Sequence, residues 1–171
     1  TYYFDGMPVQ DQFSGGLGTR INPDALETVS LTSGGYSSEY GEALSGVVNA
    51  LTQEGSSTYA GKLKLAAGLS KPYNVRTGEF DKTRRTDNYY GVFNLSGPIP
   101  LLQNDRANFF NSIEYWNNGG YLPHNQAESW TLTTKVTLRP LQNLKVTVYS
   151  NIYEREQERY EHRDVNGYSY D

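Results

Sequence analysis

The sequence predicts a mixed fold, with a small α+β unit over residues 1–57 followed by antiparallel β-strands over residues 58–171. Three observations lead to this prediction. Residues 1–57 are rich in glycine and serine and contain only short apolar segments. From residue 59 onward, apolar and polar residues alternate in long runs, which is the period of strands with one apolar face. The connections between these runs are polar and differ in length in the manner of a strand meander.

The composition limits the classes of protein that are possible. The net charge is -4 with both signs mixed along the chain, which argues against a nucleic-acid-binding surface. The chain contains no cysteine, so a disulfide framework and a thiolate metal site are excluded. Aromatic residues make up 13% of the chain, whereas disordered chains are poor in them, so we expect a folded protein. No run approaches the ~18 apolar residues of a membrane-spanning helix, but membrane strands alternate and escape that criterion.

The first unit is expected to contain one short helix and two strands. Residues Ile21–Glu27 predict the helix, because Asn22 suits an N-cap and Pro23 suits the first helical position. Residues 28–32 predict a strand that Gly34 and Gly35 end, since a glycine pair permits a tight turn.

A second strand is predicted over residues 47–52, and the flexible stretch 54–57 marks the boundary of the unit. Five alternating runs then follow. Each is close to the ~9–11 residues that a tilted strand needs to cross a bilayer. The runs are Tyr59–Ser70, Asn88–Gly97, Ala107–Asn117, Trp130–Leu138 and Leu144–Ile152.

Loop lengths and aromatic positions favour a membrane barrel over a soluble sandwich, although both remain possible on this pattern. Residues 71–87 and 118–128 form long polar loops, whereas residues 140–143 form a very short one. Outer-membrane barrels show the same asymmetry and carry aromatic girdles at the two interfaces. Soluble sandwiches also contain alternating strands separated by turn residues. The aromatic residues near the ends of the runs are Tyr59, Tyr89, Tyr90, Tyr115, Trp116, Trp130 and Tyr153.

Four motifs in the first 57 residues resemble the plug of TonB-dependent outer-membrane receptors, in the order and spacing of that family. They lie at residues 3–9, 22–29, 34–41 and 44–55. The last contains Gly-Val-Val-Asn and departs from the family at Gln53, where Lys or Arg is usual. The residues that carry the resemblance are Asp5, Gly6, Asn22, Pro23, Glu27, Gly34, Gly35, Glu39, Tyr40, Gly41, Gly46, Asn49 and Gly55.

Two later motifs extend the resemblance into the strand region. Asn94–Ile99 is similar to the Ser-Gly-Pro-Ile turn of the family, and Phe109–Tyr115 is similar to its third barrel strand. Together they look most like the Oar-like, carboxypeptidase-regulatory-domain branch. The resemblance implies that residues 1–57 are the C-terminal part of the plug. It also implies that residues 58–171 are the first five to six strands of a 22-stranded plugged barrel, and that the chain is a fragment.

The resemblance further implies energised import of a ligand across the outer membrane, without covalent chemistry. The expected partners are outer-membrane lipid, an unidentified imported ligand, and TonB through a segment missing from this chain. No cofactor, metal or nucleic acid is expected. The inward residues of the strands would line the lumen, namely Lys62, Lys64, Thr131, Thr133 and Lys135.

We find no catalytic constellation in the sequence. His124 and His162 lie far apart in polar segments, and we interpret both as solvated loop residues. Residues 164–171 contain oxygen ligands but lack the spacing and bidentate Glu of a calcium loop. The basic cluster of Lys82, Arg84 and Arg85 is interpreted as a solvated loop, with contact to an anion as the less favoured alternative. Residues 15–18 lack the full dinucleotide-binding fingerprint.

Acidic residues of the first unit suggest how it is held. Asp24, Glu27, Glu39 and Glu42 are hypothesised to form ion pairs with inward lysines such as Lys62 and Lys64; ordinary solvent-exposed salt bridges are the alternative. A soluble or cell-surface all-β module that binds a ligand, for example a glycan, stays open as a second function. It predicts solubility in water and a closed apolar core.

Overall fold

The computed structural model describes residues 1–11, 13, 16–33, 46–69, 71, 73–74, 78–80, 86–100, 106–120 and 125–158. Within this part of the chain nearly all regular structure is β-strand. No helix found there is both long enough and apolar enough to span a membrane. The strands are β1 (Tyr2–Phe4), β2 (Met7–Pro8), β3 (Leu26–Thr32), β4 (Val47–Thr52), β5 (Ala60–Gly68), β6 (Tyr73–Asn74), β7 (Glu79–Phe80), β8 (Asn88–Pro98), β9 (Ala107–Asn118), β10 (Ala127–Leu141) and β11 (Leu144–Gln157).

The N-terminal unit, which we define as residues 1–57, contains a mixed four-stranded sheet in the order β2-β1-β4-β3. β1 and β2 form a hairpin whose central residues are Asp5 and Gly6, with φ of 47° and 80°. Positive φ at both positions is the requirement of a type I′ turn, which Asp-Gly satisfies. β1 runs parallel to β4, and β3 runs antiparallel to β4. The predicted strands 28–32 and 47–52 are therefore confirmed, while the parallel pairing was not predicted.

The predicted helix is only a single 3-10 turn, Pro23–Ala25. Its start agrees with the prediction, because the side chain of Asn22 accepts a hydrogen bond from the amide of Asp24 and Pro23 follows as the first residue. Leu26 is already extended, with φ of -82° and ψ of 140°, and begins β3. The prediction of a helix through Glu27 was therefore wrong, because Leu26 and Glu27 pair with the sheet instead.

The remaining long strands form one antiparallel sheet in the order β11-β10-β9-β8-β5, which we call the five-stranded sheet. Each strand pairs with the next along the chain, so all five predicted runs are confirmed as a meander. The turn between β10 and β11 is tighter than predicted, because Leu141 already pairs with Leu144. The small β6–β7 hairpin within the first long loop was not predicted.

The two faces of the five-stranded sheet differ sharply in polarity. Its inner face packs on the N-terminal unit and buries mainly polar side chains. Its outer face carries Leu, Ile, Val, Phe and Trp residues that remain exposed. The buried polar residues are Asn94, Asn108, Ser112, Glu114, Ser129, Thr131, Thr133, Lys135 and Thr137. This is the reverse of a sheet that folds in water, where the apolar face is buried.

A small apolar cluster joins the unit to the sheet. Phe4, Ile21, Ala25 and Ala50 of the N-terminal unit form one buried cluster with Phe110 of β9. Separating the unit from Phe110 would expose these apolar side chains to water, so the cluster favours this position of the unit on the inner face. The polar contacts around it then determine its orientation.

At Gly55 the backbone of the unit approaches the backbone of β9 closely. A Cβ atom at this position would lie 2.6 Å from the backbone nitrogen and oxygen of Phe109. No side chain fits in that space, so glycine is required here for a steric reason and not for a special φ angle.

We expect Gly55→Ala to lower the free energy of unfolding by about 1–3 kcal/mol, because the methyl group forces β9 and the unit apart. Gly61→Ala is the matched control, since a Cβ there would meet its nearest neighbour, the Asn94 carbonyl oxygen, at an ordinary 3.6 Å. Chemical denaturation of both variants measures the difference. Equal stability of the two would contradict the steric role of Gly55.

Candidate functional site

The interface between the N-terminal unit and the five-stranded sheet is the candidate functional site. Asp24 lies at one end of it, on the 3-10 turn. Its carboxylate binds Lys62 and Lys64 of β5, with each N–O distance at 2.7 Å. The predicted ion pairs of Asp24 with these two lysines are confirmed. The hydrogen bonds from Lys62 and then Lys64 hold the pKa of Asp24 below its ordinary value of 3.8.

β8 and β9 hold the same turn from its other sides. The Asn94 amide donates to the backbone carbonyl of Asp24 at 2.9 Å. The Asn22 amide donates to the hydroxyl of Ser112 at 2.8 Å, and both of these side chains are fully buried. Asn22 therefore performs two tasks, since its oxygen caps the turn while its nitrogen binds the sheet.

A buried ion pair joins the β1–β2 turn of the unit to β10. Lys135 of β10 places its ammonium group 2.9 Å from the carboxylate of Asp5, and the two side chains are only 7% and 10% exposed. The same ammonium group donates to the carbonyl of Thr52 at 3.0 Å. Asp5 also accepts hydrogen bonds from the amide and the hydroxyl of Thr52. The β1–β2 turn, the end of β4 and the middle of β10 are thus joined by one charged network.

Glu54 forms a third charged contact, near the β10–β11 turn. Its carboxylate binds Lys145 of β11 at 2.5 Å and Arg139 of β10 at 3.5 Å. The hydrogen bond from Lys145 is the main reason that the pKa of Glu54 is lowered. All three residues are substantially exposed, so this contact is more strongly screened by solvent than the one at Lys135.

In one ion pair the N-terminal unit supplies the cation and the sheet supplies the carboxylate. Arg20 of the unit lies 3.5 Å from Glu114 of β9, whose side chain is 1% exposed. The Tyr90 hydroxyl donates to the second oxygen of Glu114 at 3.1 Å. The guanidinium group of Arg20 also lies 5.9 Å from the ring centre of Trp116, a cation–π distance. The side-chain amide of Asn151 on β11 donates hydrogen bonds to the Thr19 hydroxyl at 2.9 Å and to the Arg20 carbonyl at 3.1 Å.

Several buried polar atoms at this interface have no hydrogen-bond partner among the described residues. They include the hydroxyl groups of Ser129, Thr131 and Thr137 and the side-chain oxygen of Asn94. Buried groups of this kind are costly unless they are satisfied. The interface is therefore polar and incompletely paired, unlike a closed protein core.

All five residues predicted to line the lumen lie on the inner face, against the N-terminal unit. Lys62, Lys64 and Lys135 bind its carboxylates, while Thr131 and Thr133 are buried. The Thr133 hydroxyl donates to the side chain of Asn151 at 2.9 Å.

The motif residues of the unit have different positions. Asp5, Gly6, Asn22, Pro23 and Gly55 lie at turns or at the interface, as described above. Glu27 is exposed on β3 and forms no ion pair with a described residue, so the hypothesis that it binds Lys62 or Lys64 was wrong. Gly46 precedes β4, and Asn49 pairs with Tyr3 and Ser30 within the sheet of the unit.

Several predicted residues lie outside the part of the chain that the structure describes. They are Gly34, Gly35, Glu39, Tyr40, Gly41, Glu42, Lys82, Arg84, Arg85, His124, His162 and residues 164–171. Among the described residues, no group of three or more His, Cys, Asp or Glu side chains could hold a metal ion.

Three of the four charged contacts between the unit and the sheet were not predicted from the sequence. The pairs of Asp5, Glu54 and Arg20 join residues more than 80 positions apart, and nothing local marks them. For Glu114 the strand period did contain a signal, because this residue falls on the inner face of its run and is buried there. A charged residue at a buried strand position requires a partner, so Glu114 could have been marked as a contact of the unit.

Comparisons of the chain with protein-family models, curated proteins and solved structures found no match. The family resemblance therefore depends on the short motifs alone. The function of the interface has to be argued from its geometry and from the polarity of the two sheet faces.

We expect Lys135→Met to lower the free energy of unfolding by about 3–5 kcal/mol, because it leaves the carboxylate of Asp5 buried without a partner. Lys64→Met is the matched control and should cost less than about 1 kcal/mol, since that lysine is half exposed and Lys62 remains. The double variant Asp5→Asn/Lys135→Met should recover part of the loss, because Asn also tolerates the positive φ at this position. Chemical denaturation of the unsubstituted protein and the three variants measures these differences. An equal loss of stability in the two single lysine variants would refute the prediction.

The pH dependence of stability should contain a contribution from Asp24. Its pKa is lowered in the folded state, so the unfolded state takes up a proton first as the pH falls. The stabilisation is complete above the ordinary pKa of 3.8 and is lost as the pH falls through the lowered value. We expect a Lys62→Met/Lys64→Met variant to lose less stability than the unsubstituted protein between about pH 4 and pH 2 in acid denaturation. Parallel pH profiles of the variant and the unsubstituted protein would show that these lysines do not lower the pKa of Asp24.

Proposed function

We propose that the chain is part of a TonB-dependent outer-membrane receptor, in which the N-terminal unit is the C-terminal part of the plug and the five-stranded sheet is a segment of the barrel. The observation that carries the proposal is the inverted polarity of the five-stranded sheet. Its outer face exposes Leu63, Leu65, Val148 and Ile152 to 66%, 74%, 58% and 59%, while Thr133 on the inner face is fully buried. An extended apolar face of this kind is stable when lipid covers it and unfavourable in water.

The dimensions of the outer face support a membrane location. From Trp130 to Leu141, β10 advances eleven residues, or about 37 Å at ~3.4 Å per residue. At a tilt of ~45° this covers about 26 Å of membrane depth, close to the ~25 Å apolar band of outer-membrane barrels. At the Trp130 end of this band the ring centres of Tyr115 and Trp130 lie 4.4 Å apart, in the position of one aromatic girdle.

The edges of the five-stranded sheet support the view that more strands belong to it. β5 and β11 each have one neighbour within the described part of the chain. In lipid, backbone groups at a free edge would have no hydrogen-bond partner, so a membrane sheet must close on itself. The proposal therefore requires additional strands outside this chain.

The interface supplies a physical basis for gating. The N-terminal unit is attached by carboxylate–ammonium pairs and hydrogen bonds to an inner face that has little apolar area, apart from the cluster at Phe110. The half-exposed pairs at Asp24 can be exchanged for water at modest cost, because the separated charges hydrate well, whereas the buried pair of Lys135 and Asp5 resists separation. In the proposed mechanism, ligand binds on the extracellular side and TonB pulls on the plug, using the energy of the inner membrane. The plug then rearranges and opens a path through the barrel.

The test distinguishes this function from that of a soluble or cell-surface β-module. We expect Val148→Lys to reduce the amount of protein assembled in the outer membrane, because Val148 pairs with Val136 in the middle of the band and a cation at this depth on the outer face costs about 2–4 kcal/mol. Glu156→Lys, at the polar end of the same face, is the matched control and should assemble normally.

Membrane fractionation with heat-modifiable gel mobility measures assembly of both variants in the parent protein. If the unsubstituted protein is instead soluble without detergent, and Val148→Lys is as stable as the control, the receptor proposal is wrong. The soluble binding module then becomes the better description.

A further inference from the structure

The apolar outer face contains one polar row. Asn111 of β9, Thr134 of β10 and Ser150 of β11 are direct neighbours in the sheet register. We call these three residues the polar row. The row on one side of it consists of Ile113, Leu132 and Ile152, and the row on the other side consists of Phe109, Val136 and Val148.

The polar row lies near the middle of the band. Thr134 is four residues from Trp130 and seven from Leu141, the two limits of the apolar stretch on β10. On the neighbouring strands the same row continues as Leu95 of β8 and Gly61 of β5, which are apolar. The polar part is therefore confined to β9, β10 and β11.

Hydrogen bonding within the row is incomplete. The Thr134 hydroxyl donates to the side-chain oxygen of Asn111 at 2.8 Å. The two N–H groups of the Asn111 amide and the hydroxyl of Ser150 have no partner among the described residues, and Ser150 is exposed. Acyl chains cannot accept or donate a hydrogen bond, so lipid would leave these groups unsatisfied.

We propose that β9–β11 form the contact with a second copy of the chain in the membrane, through the polar row. The inference depends on the membrane location proposed above. Two copies inserted in the same direction are related by a two-fold axis along the membrane normal, so each residue meets residues at its own depth. The polar row of one copy then faces the polar row of the other.

The chemistry of the row is complementary to itself. Asn, Thr and Ser each carry both a donor and an acceptor, so a row of them can bind an identical row. The apolar rows on either side meet their own counterparts in the same arrangement. A different partner would need a matching polar group at this depth, whereas a second copy supplies it by symmetry.

Single-cysteine cross-linking tests the proposal, because the chain has no cysteine of its own. Ser150→Cys and Val148→Cys place a thiol at the proposed contact. Leu63→Cys, on the outer face of β5, is the matched control outside it. The variants are expressed in a cysteine-free background of the full protein, and intact membranes are treated with a short bifunctional thiol reagent.

We expect a product of twice the protomer mass from Ser150→Cys or Val148→Cys, and none from Leu63→Cys. Replacement of Asn111 by Leu in the Ser150→Cys background should reduce its yield. Monomer alone at both contact positions, in protein that still fractionates with the outer membrane, would overturn the contact while leaving the proposed function intact. A product containing a different protein would also overturn it. Absence of the unsubstituted protein from the outer membrane would overturn the proposed function together with this contact.

Discussion

The inner face of the five-stranded sheet contacts the N-terminal unit through charged and hydroxyl side chains, while its outer face is apolar apart from the polar row. This distribution constrains everything else in the structure. A polar face can be buried only if its groups find partners, and the unit provides them through Asp5, Asn22 and Asp24. The apolar face then needs an apolar surrounding, because the unit covers the other side.

The contacts between unit and sheet differ in strength because they differ in exposure. Lys135 and Asp5 are desolvated, so breaking one partner away leaves a buried charge and is costly. The pairs at Asp24 and Glu54 involve half-exposed lysines, and water compensates for their loss. Rearrangement of the unit would therefore meet its main electrostatic resistance at Lys135, whereas the outer pairs set orientation. The hydroxyl groups of Thr131 and Thr137 have no hydrogen-bond partner among the described residues, so this part of the interface is incompletely paired.

The regular part of this fold could be predicted from the sequence, and the contacts between distant segments could not. Strands β8 to β11 follow from alternation alone, because polarity with period two identifies both a strand and its faces. The cap at Asn22 was also predicted from local sequence, because Asn is a preferred N-cap residue. The helix is only one turn long, because Leu26 pairs with Thr52 in the sheet. Asp24 with Lys62 and Lys64 was found because clustered lysines on an inward face suggest an acidic partner. The bond from Lys135 to Asp5 depends on how two sheets are placed, which no local pattern contains.

Lipid exposure of the outer face is the central claim, and a spin-label scan along β5, outside the proposed contact, tests it most directly. Single cysteines introduced at residues 61 to 67 of the membrane-inserted parent protein would be labelled one at a time. Collision rates would be measured with molecular oxygen, which concentrates in lipid, and with a water-soluble nickel complex. We predict that oxygen contact alternates with period two and is highest at Leu63 and Leu65, with low nickel contact there. High nickel contact at those two positions, or no alternation, would show that the apolar face does not meet a membrane.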